Sequence, residues 1–172
     1  MPIADILQPE IIEISPSLRL RCYDGDYMRF LPAYRQSYIC HNSEGIFDES
    51  KFPDEDYVKR MCSYLSRVGE LYYIEALENG DFAVIGDVTV KDENPPVAVW
   101  WEEYRGRGIG KTVMRTVIRR LFALGYGEVR GSTVYKWNLP SQRMHEVLGF
   151  HRVSENEREI EYALAKADFI DE

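Results

Sequence analysis

Apolar and polar residues alternate through Leu18-Arg-Leu-Arg-Cys22, the two-residue repeat of a strand with one buried face. A Pro-interrupted leader over residues 1–17 precedes it, and Ile11 to Ile14 within that leader read as an extra edge strand. Asp26 stands as a cap ahead of a helix over Tyr27 to Ile39, with Pro32 either in its first turn or breaking it. His41 to Phe52 is polar and turn-like. From Asp54 the period changes: Tyr57, Met61, Tyr64, Leu65 and Val68 recur at three- and four-residue steps, which predicts a second helix. Leu71 to Leu77 and Phe82 to Val90 flank Glu78-Asn-Gly80, where Asn-Gly supplies the positive φ angles of a tight hairpin. Asp92 to Pro96 is a break, and Val97 to Trp101 resumes as a strand. In the next segment, to Leu124, the residues Ile109, Val113, Val117 and Leu121 form a stripe beside Met114, Ile118 and Phe122, the face of a helix laid on a sheet. Gly125 and Gly127 end it. A strand over Glu128 to Val134, a short helix over Pro140 to Leu148, and strands at Phe150 to Val153 and Glu159 to Leu164 close the pattern. The order predicts an α/β fold of the α+β kind, a mixed sheet with helices on both faces.

Composition bounds this picture. At 172 residues the chain has the length of one domain, so a single domain over 1–172 is expected, with a core that needs neither disulfides nor a metal. Cys22, Cys40 and Cys62 are odd in number and lack metal-like spacing, which suits unpaired thiols in a reducing cytoplasm. No run reaches the length of a membrane span, and Met-Pro-Ile-Ala-Asp lacks the basic start of a signal peptide. A soluble cytoplasmic protein without membrane contact is the expectation. The net charge of −8 argues against general nucleic-acid binding. Positive charge is instead concentrated at Arg105, Arg107, Lys111, Arg115, Arg119 and Arg120. The last three read as a solvated helix face, and Lys111 with the turn arginines as phosphate ligands.

Those cations surround Arg105-Gly-Arg-Gly-Ile-Gly-Lys111, a glycine-rich turn between a strand and a helix. Glycines permit close approach of a ligand, and backbone N–H groups at a helix start attract anions, so the turn reads as a polyphosphate cradle. A Walker A loop would put its first glycine at position 105, which is arginine, and a Gly-x-Gly-x-x-Gly fingerprint would put its third at 111, which is lysine. Nucleotide hydrolysis with Mg²⁺ is disfavoured by that spacing. The pattern Arg-x-x-Gly-x-Gly, met by Arg105, Gly108 and Gly110, does fit. The stretch Trp100-Trp-Glu-Glu-Tyr-Arg-Gly-Arg-Gly-Ile-Gly-Lys111 resembles the acetyl-CoA-binding motif of the GNAT-type N-acetyltransferase superfamily, and Asn138-Leu-Pro-Ser-Gln-Arg-Met-His-Glu-Val-Leu-Gly-Phe150 resembles that family's later motif. The resemblance is firm over residues 83–153, the cofactor-binding core.

The resemblance implies a GNAT-like fold, mostly antiparallel, in which the strands at Val97 to Trp101 and Glu128 to Val134 run parallel and splay apart to admit acetyl-CoA. Ala98, Val99 and Trp100 would offer backbone to the pantetheine arm, and Gly106, Arg107, Gly108, Ile109, Gly110 and Lys111 would surround the pyrophosphate, with Arg105 in the motif's first position. Asn138 would contact the cofactor arm, a role compatible with capping the next helix. The implied reaction is direct attack of a primary amine, on a small molecule, peptide or protein, upon the thioester. A catalytically silent CoA-binding sensor or interaction module of the same fold is the alternative. The Trp100 N–H, freed where the strands part, is the implied oxyanion donor. Many relatives carry a tyrosine acid where this chain has His145. His145 serves as acid if carboxylates raise its pKa, as a base through water, or as a packing residue; Tyr135 is a substitute acid. A glutamate base of some relatives falls at Thr133, which cannot serve, leaving Asp87, Glu102 and Glu103 as carboxylates near the right sheet edge. Of the paired tryptophans, one is expected in the core and Trp101 stacked near the acceptor. Tyr23, Tyr27, Tyr34, Tyr38 and the acidic run Asp48 to Asp56 belong to the N-terminal helices that shape the acceptor cleft in this fold, and suit a polyamine, aminoglycoside or basic peptide. A C-terminal sheet edge offers a homodimer contact.

Overall fold

The computed structural model describes residues 6–172; the Met-Pro-Ile-Ala-Asp start lies outside them. Five strands, β1 (Ile11–Ser15), β2 (Leu18–Cys22), β3 (Glu70–Glu78), β4 (Asp81–Val90) and β5 (Val97–Val99), form one antiparallel sheet in sequence order. Strands β6 (Glu128–Tyr135), β7 (His151–Glu155) and β8 (Glu159–Ala165) form a second, ordered β6-β8-β7 and also antiparallel. The mixed, mostly antiparallel α/β architecture is therefore as expected, but the single sheet is divided. Parallel pairing between the halves is reduced to one bridge, Glu93 with Arg130, where the Asn94 N–H donates to Arg130 O at 2.8 Å and the Arg130 N–H to Asp92 O at 2.9 Å. Pro95 and Pro96 follow and have no N–H to continue the ladder, so β5 and β6 part just beyond the bridge.

The N-terminal helix foreseen over Tyr27 to Ile39 is a series of short turns: a 3₁₀ turn (Tyr27–Phe30), α1 (Leu31–Tyr34), α2 (Ser37–Ile39) and a π-helical turn (Cys40–Glu44). Pro32 sits in the first turn of α1, and Gln36, extended at ψ 137°, separates α1 from α2. Helix α3 (Glu55–Val68) starts where Asp54 accepts from the Tyr57 N–H at 2.9 Å. Its buried face is Val58, Cys62 and Leu65; of the stripe expected, Leu65 is buried, Tyr57 and Met61 pack partly buried against the same core, and Tyr64 is 48% exposed. The hairpin turns at Asn79 and Gly80, both at positive φ. Helices α4 (Ile109–Ala123) and α5 (Leu139–Val147) follow the glycine turn and β6.

Two cores lie on opposite faces of the five-stranded sheet. On one, Val113, Val117, Ile118 and Leu121 of α4 pack with Tyr72, Ile74 and Val88, and this core continues to Val134, Phe150 and Tyr162 of the second sheet. On the other, Phe30, Tyr34, Val58 and Cys62 pack with Leu71, Tyr73 and Trp100. Arg120, expected on a solvated face, forks onto the buried carboxylate of Glu70 at 2.5 and 2.7 Å and ties α4 to β3. Arg119 and Arg115 likewise turn to Asp171, at 2.6 and 3.9 Å. The C-terminal segment is docked, with Phe169 against Phe122 and the Ile170 N–H donating to Leu148 O at 3.0 Å. Cys22, Cys40 and Cys62 are all unpaired. Among the described residues, no helix is long and apolar enough to cross a membrane.

Candidate active site

Where β5 and β6 diverge, a cleft of about 350 Å³ runs between the glycine turn, the free edge of β5 and α5. Gly106 and Gly108 adopt φ 73° and 77°, a region closed to most side chains, and so bend the chain to present the start of α4. No side chain caps α4 and no acid lies in its first turn; the first amide returned into the helix is that of Thr112, to Gly108 O at 3.0 Å. The N–H groups before it and the positive helix end therefore face the cleft. A Cβ placed at Gly110 would meet only Met144 Sδ, at 3.8 Å, so the protein itself does not require glycine there; its absence of a side chain keeps the cleft open for a ligand. Arg105, Lys111 and Arg143 line this space and no acid does, a donor set suited to a polyphosphate.

Of the residues expected at the cofactor, Ala98, Val99, Arg105, Gly106, Gly108, Ile109, Gly110, Lys111 and Asn138 line the cleft, while Trp100 and Arg107 do not. Arg107 instead lies over the Tyr104 ring, 5.5 Å from its centroid. Trp100 is buried, its N–H donating to Ile85 O at 2.7 Å, so the amide expected to be free is already used. The ladder explains why. Ala98 and Trp100 are turned to β4, leaving the backbone of Val97 and Val99 to face the cleft. Arg105 is a brace: Nε donates to Val99 O at 3.1 Å, Nη2 to Trp100 O at 2.6 Å, and the guanidinium lies 3.7 Å from the Tyr38 ring centroid. Asn138 caps α5, accepting from the Ser141 N–H at 3.3 Å, and its Nδ2 donates to Asn42 O in the π-helical turn at 3.2 Å.

A second cavity, about 230 Å³, adjoins the first; Asn42, Ser43, Val97, Asn138 and Ser141 line both. His145 and Tyr135 come together here, whereas Asp87, Glu102 and Glu103 line neither space. His145 is 6% exposed, stacked on Tyr162 and edge-on to Phe150. Its Nδ1 lies 2.7 Å from Ser141 O, and since a carbonyl only accepts, Nδ1 carries the proton and Nε2 keeps its lone pair. Burial lowers its pKa, contrary to the raised value an acid role needed. The Tyr135 hydroxyl donates to Glu44 O at 3.3 Å, and burial raises its pKa. Asp87 is fully buried in the second core: Oδ1 accepts from Tyr34 at 2.8 Å and from the Trp100 indole at 2.7 Å, Oδ2 has no partner, and burial pushes the carboxyl up to about 7. Trp101 donates to Val84 O at 3.4 Å and packs against both cores.

Of the residues expected at the acceptor cleft, Tyr38 lines the first cavity and none lines the second. Tyr34 is core, Tyr23 packs edge-on to Phe30, Tyr38 carries Arg105, and no residue of Asp48 to Asp56 lines either cavity. The second cavity is lined in part by residues the sequence did not single out: Asn42 and Ser43 on the π-helical turn, and Glu159 at the start of β8. Glu44, in the same turn, is half-buried with its carboxylate accepting from Tyr57, and desolvation raises its pKa. Only the polarity of His41 to Phe52 signalled anything there.

Comparison with known proteins agrees with this geometry. The model of the acetyltransferase (GNAT) family matches residues 31–150. The SPbeta prophage-derived uncharacterized N-acetyltransferase YokL of Bacillus subtilis (strain 168) is 47% identical over 51 residues, which are 29% of this chain and 28% of that protein; the match thus spans under a third of the relative's length. Among solved structures, a domain from Methanocaldococcus jannaschii DSM 2661 superposes with a TM-score of 0.71 at 20% identity, over 86% of this chain and 97% of that one. An N-acetyltransferase from Staphylococcus aureus Mu50 does so at 0.65 and 19%, over 86% and 98%. The microcin C7 self immunity acetyltransferase MccE, in complex with acetyl-CoA and AMP, does so at 0.67 and 11%, over 92% and 98%. At such identities the structures speak for the fold alone. The family model, matching most of the length around the glycine turn and the Asn138 helix, decides the matter: the chain belongs to the GNAT family of acetyltransferases.

Proposed function

We propose that the protein transfers acetyl from acetyl-CoA directly to a primary amine, as one cytoplasmic N-acetyltransferase domain. One observation carries the reading: a cleft lined by Arg105, Lys111 and Arg143 meets, at Val97, Asn42, Ser43, Asn138 and Ser141, a cavity whose only charged lining residue is Glu159. An anionic substrate and an amine thus have separate sites that share a boundary. The pyrophosphate lies at the α4 N-terminus with Lys111, and the pantetheine amides pair with the outward backbone of Val97 and Val99. The Val97 N–H takes the oxyanion role in place of Trp100. The amine lone pair forms the C–N bond as the C–S bond breaks. His145 Nε2 takes the amine proton, and the CoA thiolate is protonated from solvent. Asp87 holds Trp100 and Tyr34 in place and does not touch the reacting atoms. MccE, in its complex with acetyl-CoA, supports the choice of donor by shared fold. The test is thiol release from acetyl-CoA across a panel of amines. Amine-dependent release is expected; tight acetyl-CoA binding with no release from any amine would favour the silent sensor.

A further inference from the structure

Glu159 has no part in that transfer, yet its placement is specific. Asn156 Oδ1 accepts from the Arg158 and Glu159 amides, both at 2.8 Å, and fixes the turn that starts β8. Glu159 lines the second cavity, directly opposite Tyr135 in the β6-β8 ladder, and its carboxylate makes no ion pair among the described residues. Neither neighbouring cation pairs with it: Arg158 donates to Gly45 O at 3.0 Å and lies over the Tyr135 ring, and Lys136 pairs with Glu155 at 3.3 Å. Among the described residues, no lysine or arginine lines the cavity. His145, 6% exposed, also borders it, with Nε2 making no hydrogen bond among the described residues. Pro95, Pro96, Val134 and Tyr135 also line the cavity.

A nitrogen must be neutral to attack a thioester, so an unpaired carboxylate is not what the reacting nitrogen calls for. It matches a positive charge elsewhere on the same molecule. A space of about 230 Å³ lies below the range that encloses drug-sized ligands and holds only a compact one. We infer that the acceptor is a compact diamine, its reacting nitrogen beside His145 and its second, protonated nitrogen held by Glu159, with the alkyl spacer against the prolines and Tyr135. The inference rests on the second cavity being the acceptor site. In the transfer only the first nitrogen changes: it gains the acetyl carbon and gives its proton to His145 Nε2, sulfur leaves as the CoA thiolate, and the second ammonium is unaltered.

Calorimetric titration of the CoA-loaded protein with 1,4-diaminobutane and with butylamine tests this, in wild type and Glu159→Gln. The diamine is expected to bind at least about tenfold more tightly than the monoamine in wild type, and the variant to lose that difference while binding CoA unchanged, which also shows that it is folded. Equal binding of the two amines by wild type, or a preference that survives Glu159→Gln, would overturn the inference while leaving the acetyltransferase reading intact. Failure of CoA itself to bind would overturn both.

Discussion

His145 shows how a buried side chain acquires a direction. With Nδ1 held by Ser141 O and the ring stacked on Tyr162, only Nε2 is available to the second cavity, and burial keeps the imidazole neutral. His145→Gln is expected to lower kcat by about 10²- to 10⁴-fold, the usual worth of a general base, with the acetyl-CoA dissociation constant unchanged. Parallel losses in binding and turnover would make the residue structural instead. Asp87 gives a second test, through stability. Its carboxyl titrates at about 7 in the folded protein against 3.8 ordinarily, so the folded state holds the proton more tightly than the unfolded chain. Its contribution to stability is therefore present below 3.8 and lost as pH rises to about 7. Between pH 5 and pH 8 the melting temperature of wild type should fall more steeply than that of Asp87→Asn; equal slopes would contradict the burial argument. The sequence showed which residue types were available here, but not that Asp87 points into a core and His145 into a cavity. Strand and helix phase decide that, and one register step reverses it.

The elements most legible in the sequence are those specified by local chemistry. Asp54 caps α3, Asn79-Gly80 turns the hairpin, and the glycines at 106 and 108 set the start of α4. Around α3 the expected stripe holds at Leu65, Tyr57 and Met61, which meet the second core, but not at Tyr64, which rides the surface. The parting of β5 from β6 was implied by the family resemblance and not by the period of either strand, since it depends on which distant strand Pro95 and Pro96 fail to pair with. Two substitutions probe elements directly. Arg120→Met leaves the Glu70 carboxylate, 1% exposed, without its fork, and should cost about 3–5 kcal/mol in denaturant unfolding; a loss below about 1 kcal/mol would show the pair to be idle. Gly110→Ala should stabilise α4 by up to about 1 kcal/mol, because its Cβ meets only Met144 Sδ, whereas Gly110→Leu should fill the cleft and weaken acetyl-CoA binding more than tenfold. If Gly110→Leu binds acetyl-CoA as wild type does, the pyrophosphate lies elsewhere.

Across the whole molecule, a net charge of −8 coexists with a cleft whose charged lining residues, among those described, are all cations, and that segregation is the basis of the functional reading. The family and the donor side were legible because the glycine turn and the Asn138 helix are continuous in sequence. The second cavity was not, because Asn42, Ser43, Thr133, Tyr135, His145 and Glu159 converge from four separate segments. Two cavities that share a wall are the basis of the proposal that acetyl passes without a covalent stop on the protein. The most direct measurement is the initial rate of thiol release with acetyl-CoA and an active amine both varied. Double-reciprocal lines that intersect, with no acetyl group found on the protein by mass spectrometry, are the expected result; parallel lines with an acetylated protein intermediate would contradict direct transfer between the two cavities.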